Sequence, residues 1–284
     1  FSNLNRYAKP TDQDTNIIMD EDDSFAILTR RLIMDHEFFK SPGRDKESHR
    51  VKTKGKNLNA GESYFTSLQT LYEMNISLLS SRRRENKGWD GEEEGLDRNT
   101  FKKFRPDEEF LDSLLQELTL YWNALIDEIP DLRRDPAKMR IHSLDPDDET
   151  PDQTDSLLFW PIGQEMMAKL ARDALDRRLP EGEKPTKDNV AKALEGVGPL
   201  EWRLHRPPWR YFLLTAQDDD GTKWRMRSED RKECVRIGHL IQRWLLGIDE
   251  LDEPEVDDLK TQWATRLIPN QKDEVEDEMW SELR

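Results

Sequence analysis

Lysines at alternate positions are the side chains whose spacing best suits a chemical role in this sequence. Lys52, Lys54 and Lys56 would all lie on one side of an extended backbone. Each ammonium group can neutralise one phosphate, and the run Arg82–Arg84 supplies three more cations. Because such contacts release counterions, they favour binding to a polyanion at moderate salt. The alternatives are a solvated loop, or lysines that pair with the chain's own acidic tail.

The charge of the chain limits where such binding can occur. The 284 residues contain 44 Lys and Arg against 60 Asp and Glu, a formal net charge of −16. Residues 1–106 hold 19 basic and 18 acidic side chains, so the other 178 residues hold 25 basic and 42 acidic ones. An acidic surface repels phosphate. Any contact with DNA is therefore expected in the amino-terminal third.

Signatures of catalysis and of metal binding are missing from the sequence. The five histidines are scattered, and there is no His-Glu-x-x-His pattern, nucleophile elbow or Gly-rich phosphate loop. The run Asp20–Asp23 cannot bring four successive carboxylates onto one cation, and it suits the positive end of a helix. Asp252 and Asp258–Lys260 have the residue types of a nuclease motif, but their spacing is generic. We expect no enzyme activity, cofactor or metal in this chain.

The composition indicates a soluble protein. No apolar run approaches the roughly 20 residues that cross a bilayer. Cys234 is the single cysteine, which excludes an internal disulfide, and its place in a predicted apolar stripe indicates a buried structural thiol. We therefore expect a cytoplasmic protein that does not bind membranes.

Apolar periodicity and capping residues predict a mainly helical fold. Asp23 or Ser24, Asp107, Thr186 and Ser228 are typical N-cap residues, and each precedes an apolar stripe. The predicted helices are 24–40, 61–81, Asp107 to Pro130, 161–178, 187–195, 228–247, 255–267 and 273–283. The Asp-Asp-Asp-Gly sequence between two apolar segments predicts one short antiparallel β-hairpin at about 210–227.

The connections between these helices suggest a division of the chain. Residues 40–56 are basic, and residues 82–106 are rich in Gly and Glu with little periodicity, which predicts a mobile linker. The expected units are an amino-terminal one (1–81) and a helical domain (107–284). The arginines at the start of the linker would form the basic carboxyl end of the preceding helix.

Two tryptophans lie beside a cationic turn. Trp202 and Trp209 flank Arg203–Pro208, which is rich in proline and positive charge. One interpretation is that the indoles stack on a base or a peptide. The other is that they pack the hairpin onto the helices. Three more tryptophans fall on apolar helix faces and are predicted to be core residues: Trp122, Trp244 and Trp263.

Several stretches carry a resemblance to a known family. Phe1–Pro10 reads Phe-Ser-Asn-Leu-Asn-Arg-Tyr-Ala-Lys-Pro, and Leu157–Met167 reads Leu-Leu-Phe-Trp-Pro-Ile-Gly-Gln-Glu-Met-Met. Together with Asn16–Asp23 and Asn59–Leu71, they resemble segments of the DGQHR-domain family. Its DndB branch consists of regulatory components of bacterial DNA phosphorothioation systems.

This resemblance implies that the chain is the carboxy-terminal portion of a ParB-like α/β protein. The Asp-Gly-Gln-His-Arg motif that names the family is absent and would be expected upstream of Phe1. Glu21 and Asp22 stand where members typically have His and Arg, so no role of those side chains carries over. In relatives, the family implies DNA binding and transcriptional control of a phosphorothioation gene cluster.

We therefore expect a DNA-binding regulatory or accessory protein of a DNA phosphorothioation defence system, with double-stranded DNA bound through its phosphate backbone. The candidate contacts share positive charge and a place in the amino-terminal third: Arg6, Lys9, Lys52, Lys54, Lys56, Arg82, Arg83 and Arg84. One alternative is a helical subunit that binds proteins of the modification system through its acidic carboxy-terminal helices. Another is a nuclease or ATPase subunit whose catalytic residues lie outside this chain. Homo-oligomer formation is left open.

Overall fold

Helices dominate the structure and confirm the mainly α prediction. The computed structural model describes residues 13–40, 50–89, 95–141, 150, 153–180, 183–216, 224–267 and 280–283. The α-helices of these residues are α1 (Gln13–Met19), α2 (Ser24–Asp35), α3 (Leu68–Leu79), α4 (Arg82–Lys87), α5 (Arg98–Lys102), α6 (Glu108–Glu128), α7 (Pro161–Arg178), α8 (Lys187–Leu194), α9 (Arg231–Leu245) and α10 (Glu253–Ala264). Short 3-10 turns cover Pro130–Arg133, Pro136–Lys138 and Leu157–Phe159.

Two small β pairs accompany the helices. Strands β1 (Val51–Lys52) and β2 (Thr66–Ser67) are parallel, with Val51 opposite Thr66. Strands β3 (Leu214–Ala216) and β4 (Trp224–Met226) are antiparallel, with Leu214 opposite Met226. The second pair confirms the predicted hairpin. The first pair was not predicted, because two-residue strands joined across a loop have no periodicity to recognise.

Capping side chains set several helix starts where the sequence placed them. Asp23 accepts two backbone N–H groups at the start of α2, Asp107 caps α6, and Thr186 forms a capping box at α8. Each cap supplies an acceptor to backbone donors that have no partner inside the helix. Helix α7 covers the predicted range 161–178, with Pro161 in its first turn.

Several helices begin or end inside their predicted ranges, and three of these boundaries are the most informative. Helix α2 stops at Asp35 because the chain turns there and buries Phe39. Helix α3 starts at Leu68 because the two residues before it pair with β1, and Ser67 is the N-cap. The prediction of Ser228 as the cap of α9 is wrong. Asp230, with a left-handed φ of 52°, directly precedes α9.

The segment expected to be a mobile linker contains two short helices. Ser81 caps α4, so Arg82 begins a new helix and does not end the previous one, contrary to the prediction. Trp89 and Phe101 are buried and stack on each other, with ring centroids 5.6 Å apart. Both rings also contact Phe25 of α2. These aromatic contacts attach the described part of residues 82–106 to the hydrophobic core.

The core lies around α3, α6 and α7, and its buried side chains form one cluster from Ile17 to Trp280. Helix α3 packs along α7, α6 packs against α2 and α8, and α9 packs against α7 and α10. Close packing requires a glycine in α7, since a Cβ at Gly163 would lie 2.1 Å from the carbonyl oxygen of Leu157. None of the helices in the described residues combines the length and apolar character that a membrane span requires.

Candidate nucleic-acid interface

The first basic group, Lys52, Lys54 and Lys56, lies on a loop, and Lys52 itself contacts later residues of that loop. Lys52 is in β1, and its Nζ donates to the carbonyl oxygen of Asn57 at 2.8 Å. The same Nζ contacts both carboxylate oxygens of Glu62, at 2.8 and 3.0 Å. Partial burial acts to raise the pKa of Glu62, but hydrogen bonds from Lys52 and Asn59 bring it below its ordinary value. Lys52 thus fixes the shape of the loop through a half-buried ion pair.

A side chain of α1 anchors the tip of this loop. The Gly55 N–H donates to Oδ2 of Asp14 at 2.7 Å, and Asp14 itself is buried. Gly55 has a φ of 82°, a left-handed conformation that suits glycine. The backbone bends here, so the three lysines do not share one side of an extended strand. Instead, Lys54 and Lys56 are exposed on either side of an anchored glycine.

A buried arginine supports the loop that carries Glu62. Arg140 is fully buried, and burial lowers its pKa to about 10. Within the part of the chain that the structure describes, its guanidinium donates to main-chain oxygens: those of Asn59 (3.3 Å), Glu62 (2.7 Å), Tyr64 (2.5 Å), Phe65 (3.5 Å) and Phe159 (2.8 Å). Residues 59–65 are thereby joined to the turn before α7. The sequence contains no local signal of this role, since the nearest of these acceptors in the chain is 19 residues away.

The second basic group, Arg82–Arg84, is split by the fold. The side chains of Arg82 and Arg83 are exposed, at the amino-terminal end of α4. The Arg82 backbone N–H donates to Oδ2 of Asp176 at 3.2 Å, which fixes α4 against α7. The Arg84 guanidinium points inward and forms a bidentate pair with Glu117 of α6 at 2.8 and 2.7 Å. Arg84 therefore serves the packing of α4.

The pair formed by Arg84 belongs to a larger polar network between α4, α6 and α7. The Tyr121 hydroxyl donates to Glu117 at 2.7 Å, and Arg172 lies over the Tyr121 ring and pairs with Asp176 at 2.9 Å. Burial acts to raise the pKa of Glu117, but the hydrogen bond and positive charge of Arg84 outweigh it and lower that pKa. The charges of this network compensate one another inside the fold.

The two exposed groups lie at opposite ends of α3. Lys54 and Lys56 follow β1, which pairs with the residues just before α3, and Arg82 lies three positions after Leu79, the last residue of α3. A helix of 12 residues is about 18 Å long. Phosphates of one DNA strand repeat every 3.4 Å or so, so this length corresponds to about five phosphates. Arg6 and Lys9, the other candidate contacts, lie outside the described residues.

Comparison with protein families decides where this chain belongs. The model of the family described as "DndB: DNA-sulfur modification-associated" matches residues 1–238. The chain belongs to the DndB family. The resemblance seen in the sequence is thus confirmed, and the match includes every candidate DNA contact. Neither curated proteins nor solved structures gave a match.

The cationic turn of this DndB-family chain presents arginine and not tryptophan. Trp202 and Trp209 are 5% and 1% exposed. Their indole N–H groups donate to the carbonyl oxygens of Val197 (3.1 Å) and Glu201 (2.6 Å). Both rings pack inside the fold, as the second interpretation of this turn expected. The exposed positive charge of the turn includes Arg206.

The acidic run before α2 has a structural role in this DndB-family chain. Besides capping α2, the buried Asp23 accepts the Tyr72 hydroxyl at 2.7 Å. Asp20 accepts the backbone N–H groups of Asp22 and Asp23 at 2.9 and 3.0 Å. Among the described residues, no group of three or more His, Cys, Asp or Glu side chains is arranged to hold a metal ion.

Proposed function

We propose that this chain is a DNA-binding regulatory or accessory component of a DNA sulfur modification system and that it acts without catalysis of its own. Its contacts would be exposed cations on the phosphate backbone: Lys54, Lys56, Arg82 and Arg83 in the described residues, with Arg6 and Lys9. The observation that carries the proposal is the loop tip. There, two exposed lysines flank a glycine that Asp14 and the Lys52–Glu62 pair hold in place.

The physical argument is one of position and charge. Lys52 and Arg84 are neutralised by Glu62 and Glu117, so in this proposal they hold the surface in shape. The exposed lysines of the tip sit on a backbone that is already ordered, so little further backbone freedom is lost when they meet phosphate. Phosphate contacts position a protein without reading sequence. Promoter preference would therefore come from other contacts, and transcriptional control is the proposed outcome of that preference.

Fluorescence anisotropy of labelled duplex DNA tests the proposal. Binding is measured from about 50 to 200 mM salt, on promoter DNA of the chain's own gene neighbourhood and on random duplex. We expect binding that weakens steeply with salt and is tighter on the promoter. Absence of binding at the lowest salt would contradict DNA binding by this chain. Equal affinity for both duplexes would contradict the regulatory part of the proposal.

A pair of matched variants locates the contact. Lys54→Glu with Lys56→Glu should lower the affinity and reduce the slope of log K against log salt by about 2, because each lost phosphate contact removes about 0.9. The control is Lys187→Glu with Lys192→Glu, the same charge change at exposed positions of α8. An equal loss in both variants would mean that only the net charge matters, and would contradict a contact at the loop tip.

A further inference from the structure

A groove between α9 and α10 has an apolar floor and an acidic rim. Its volume is about 340 Å³. Leu240, Leu251 and Leu259 line the floor, and Glu255 and Asp258 lie at the rim. This volume is near the lower end of the roughly 300–1,000 Å³ typical of small-molecule pockets. The groove therefore has room for one or two side chains of a peptide.

Local structure holds the two walls of the groove in place. Gly247, with a φ of 69°, lies in the turn after α9. A capping box between Asp252 and Glu255 then starts α10, with Pro254 in its first turn. The buried residues that secure α10 to the rest of the fold are Val256, Leu259, Trp263 and Ala264. The groove is thus a feature of packed helices.

The charge around the groove is strongly negative. Residues 249–267 hold seven acidic and two basic side chains. Asp249 is neutralised by Arg243, at 2.6 and 2.7 Å. Glu255 and Asp258 are exposed, and the hydrogen bonds they accept come from a backbone N–H and from the Gln262 amide, which are uncharged.

A cation of the chain does lie near this rim. Arg236 is close enough to Asp258 for a charge interaction, but it is already bound by Glu233 at 2.8 and 3.0 Å. Much of its positive charge is therefore compensated by its own neighbour. The rim retains net negative charge beside an apolar floor.

The groove also lies beyond the part of the chain that the family accounts for. The family match ends at residue 238, and the residues lining the groove fall between Leu240 and Gln262. A DNA contact cannot use this surface, since it would repel phosphate. Its role must therefore be sought apart from the proposed DNA contact.

We propose that this groove binds a basic amphipathic segment of a partner protein. An apolar side chain of the segment enters the groove and packs on Leu240, Leu251 and Leu259. Lysine or arginine side chains on the same segment contact Glu255 and Asp258. Charge complementarity selects this occupant, because an acidic or uncharged segment would leave two carboxylates without counter-charge beside an apolar surface.

The test uses three fluorescein-labelled helical peptides and the full chain. The probe consists of Leu and Lys at helical spacing. In the second peptide Ser replaces Leu, and in the third Glu replaces Lys. We expect only the Leu/Lys peptide to bind. Equal binding of the Ser/Lys peptide, or no binding of the Leu/Lys peptide at about millimolar concentration, would overturn the proposal.

Two variants of α10 provide a matched comparison. Asp258→Lys should weaken binding of the Leu/Lys peptide by about tenfold, which corresponds to about 1.4 kcal/mol. Asp257→Lys makes the same charge change at the neighbouring exposed position, outside the groove lining, and should change affinity by less than about threefold. Circular dichroism establishes that both variants fold. An equal loss in both would show a diffuse charge effect and overturn the assigned groove.

Two further measurements distinguish a partner segment from a second copy of this chain as the occupant of the groove. Leu251→Ala shortens a half-buried side chain of the floor and should also weaken the Leu/Lys peptide, without changing the charge. Sedimentation of the full chain examines a second copy as occupant. A dimer that dissociates on Asp258→Lys but not on Asp257→Lys, with no effect on peptide binding, would overturn the proposal of a partner segment.

Discussion

Arg84 and Glu117 form a bidentate ion pair that joins α4 to α6, with N–O distances of 2.8 and 2.7 Å. Arg84 is one of three consecutive arginines, and the other two are exposed. A single run of identical residues is thus divided between a structural contact and a charged surface. We therefore expect substitution of Arg84 to lower stability, and substitution of Arg82 and Arg83 to weaken DNA binding.

Removing the inward arginine should destabilise the fold. Arg84→Met leaves the Glu117 carboxylate mostly buried without its partner, and such a loss typically costs about 3–5 kcal/mol. Urea unfolding followed by tryptophan fluorescence measures the change. The control is Arg105→Met, which removes an exposed pair with Glu108 and should cost less than about 1 kcal/mol. Equal costs would contradict the structural role of Arg84.

Reversing the charge of the two exposed arginines should weaken DNA binding without changing the stability of the fold. Arg82→Glu with Arg83→Glu places negative charge at the amino-terminal end of α4, where the helix dipole favours it. The free energy of unfolding should therefore change by less than about 0.5 kcal/mol. The plot of log K for DNA binding against log salt should become less steep. Anisotropy and urea unfolding on the same samples measure both. Unchanged DNA affinity would remove these arginines from the proposed interface.

Loss of the buried Arg140 should increase local opening of residues 59–65, the segment that carries Glu62. Arg140→Met removes hydrogen bonds to five carbonyl oxygens and should cost about 2–4 kcal/mol. Hydrogen exchange should rise in residues 59–65 more than in α10. Arg133→Met, at an exposed pair with Asp127, is the matched substitution. A uniform rise in exchange would indicate global destabilisation and contradict a local role.

Stability should fall in acid through the Glu117 carboxylate. Its pKa is lower in the folded chain than in the unfolded one, because Arg84 and Tyr121 stabilise the charged form more than burial opposes it. The folded state therefore binds its proton at lower pH. The stabilisation is present above the unfolded pKa of about 4.3, and it is lost as pH falls through the folded pKa.

Glu117→Gln isolates this pH dependence. The variant should be less stable at neutral pH but should lose less stability than wild type between about pH 5 and 3. Thermal unfolding across that range measures the difference. Glu109→Gln, at an exposed position of the same helix, should keep the wild-type profile. Parallel profiles of wild type and Glu117→Gln would show that another group controls the acid transition.

Much of the secondary structure was predictable because it depends on near neighbours. Asp107 caps α6 through an N–H three residues away, and Thr186 caps α8 in the same way. Apolar residues that recur every three or four positions likewise predicted α7. The same reasoning failed at Ser228 and at residues 61–67. There, a left-handed Asp230 and pairing with a distant strand decide where the helices begin.

The sequence by itself determined the helical fold class, the family and the candidate cations of the amino-terminal third, whose charge is close to neutral while the rest of the chain is acidic. Only the tertiary structure decided which of those cations are exposed. Lys52 and Lys54 are of one residue type two positions apart, yet Glu62 neutralises the first and the second is exposed. Arg84 differs from Arg83 only in facing Glu117, 33 residues along the chain. The residue type determines the charge of a side chain. The partner of that charge depends on packing between segments that are far apart in the chain, and local periodicity does not predict such packing.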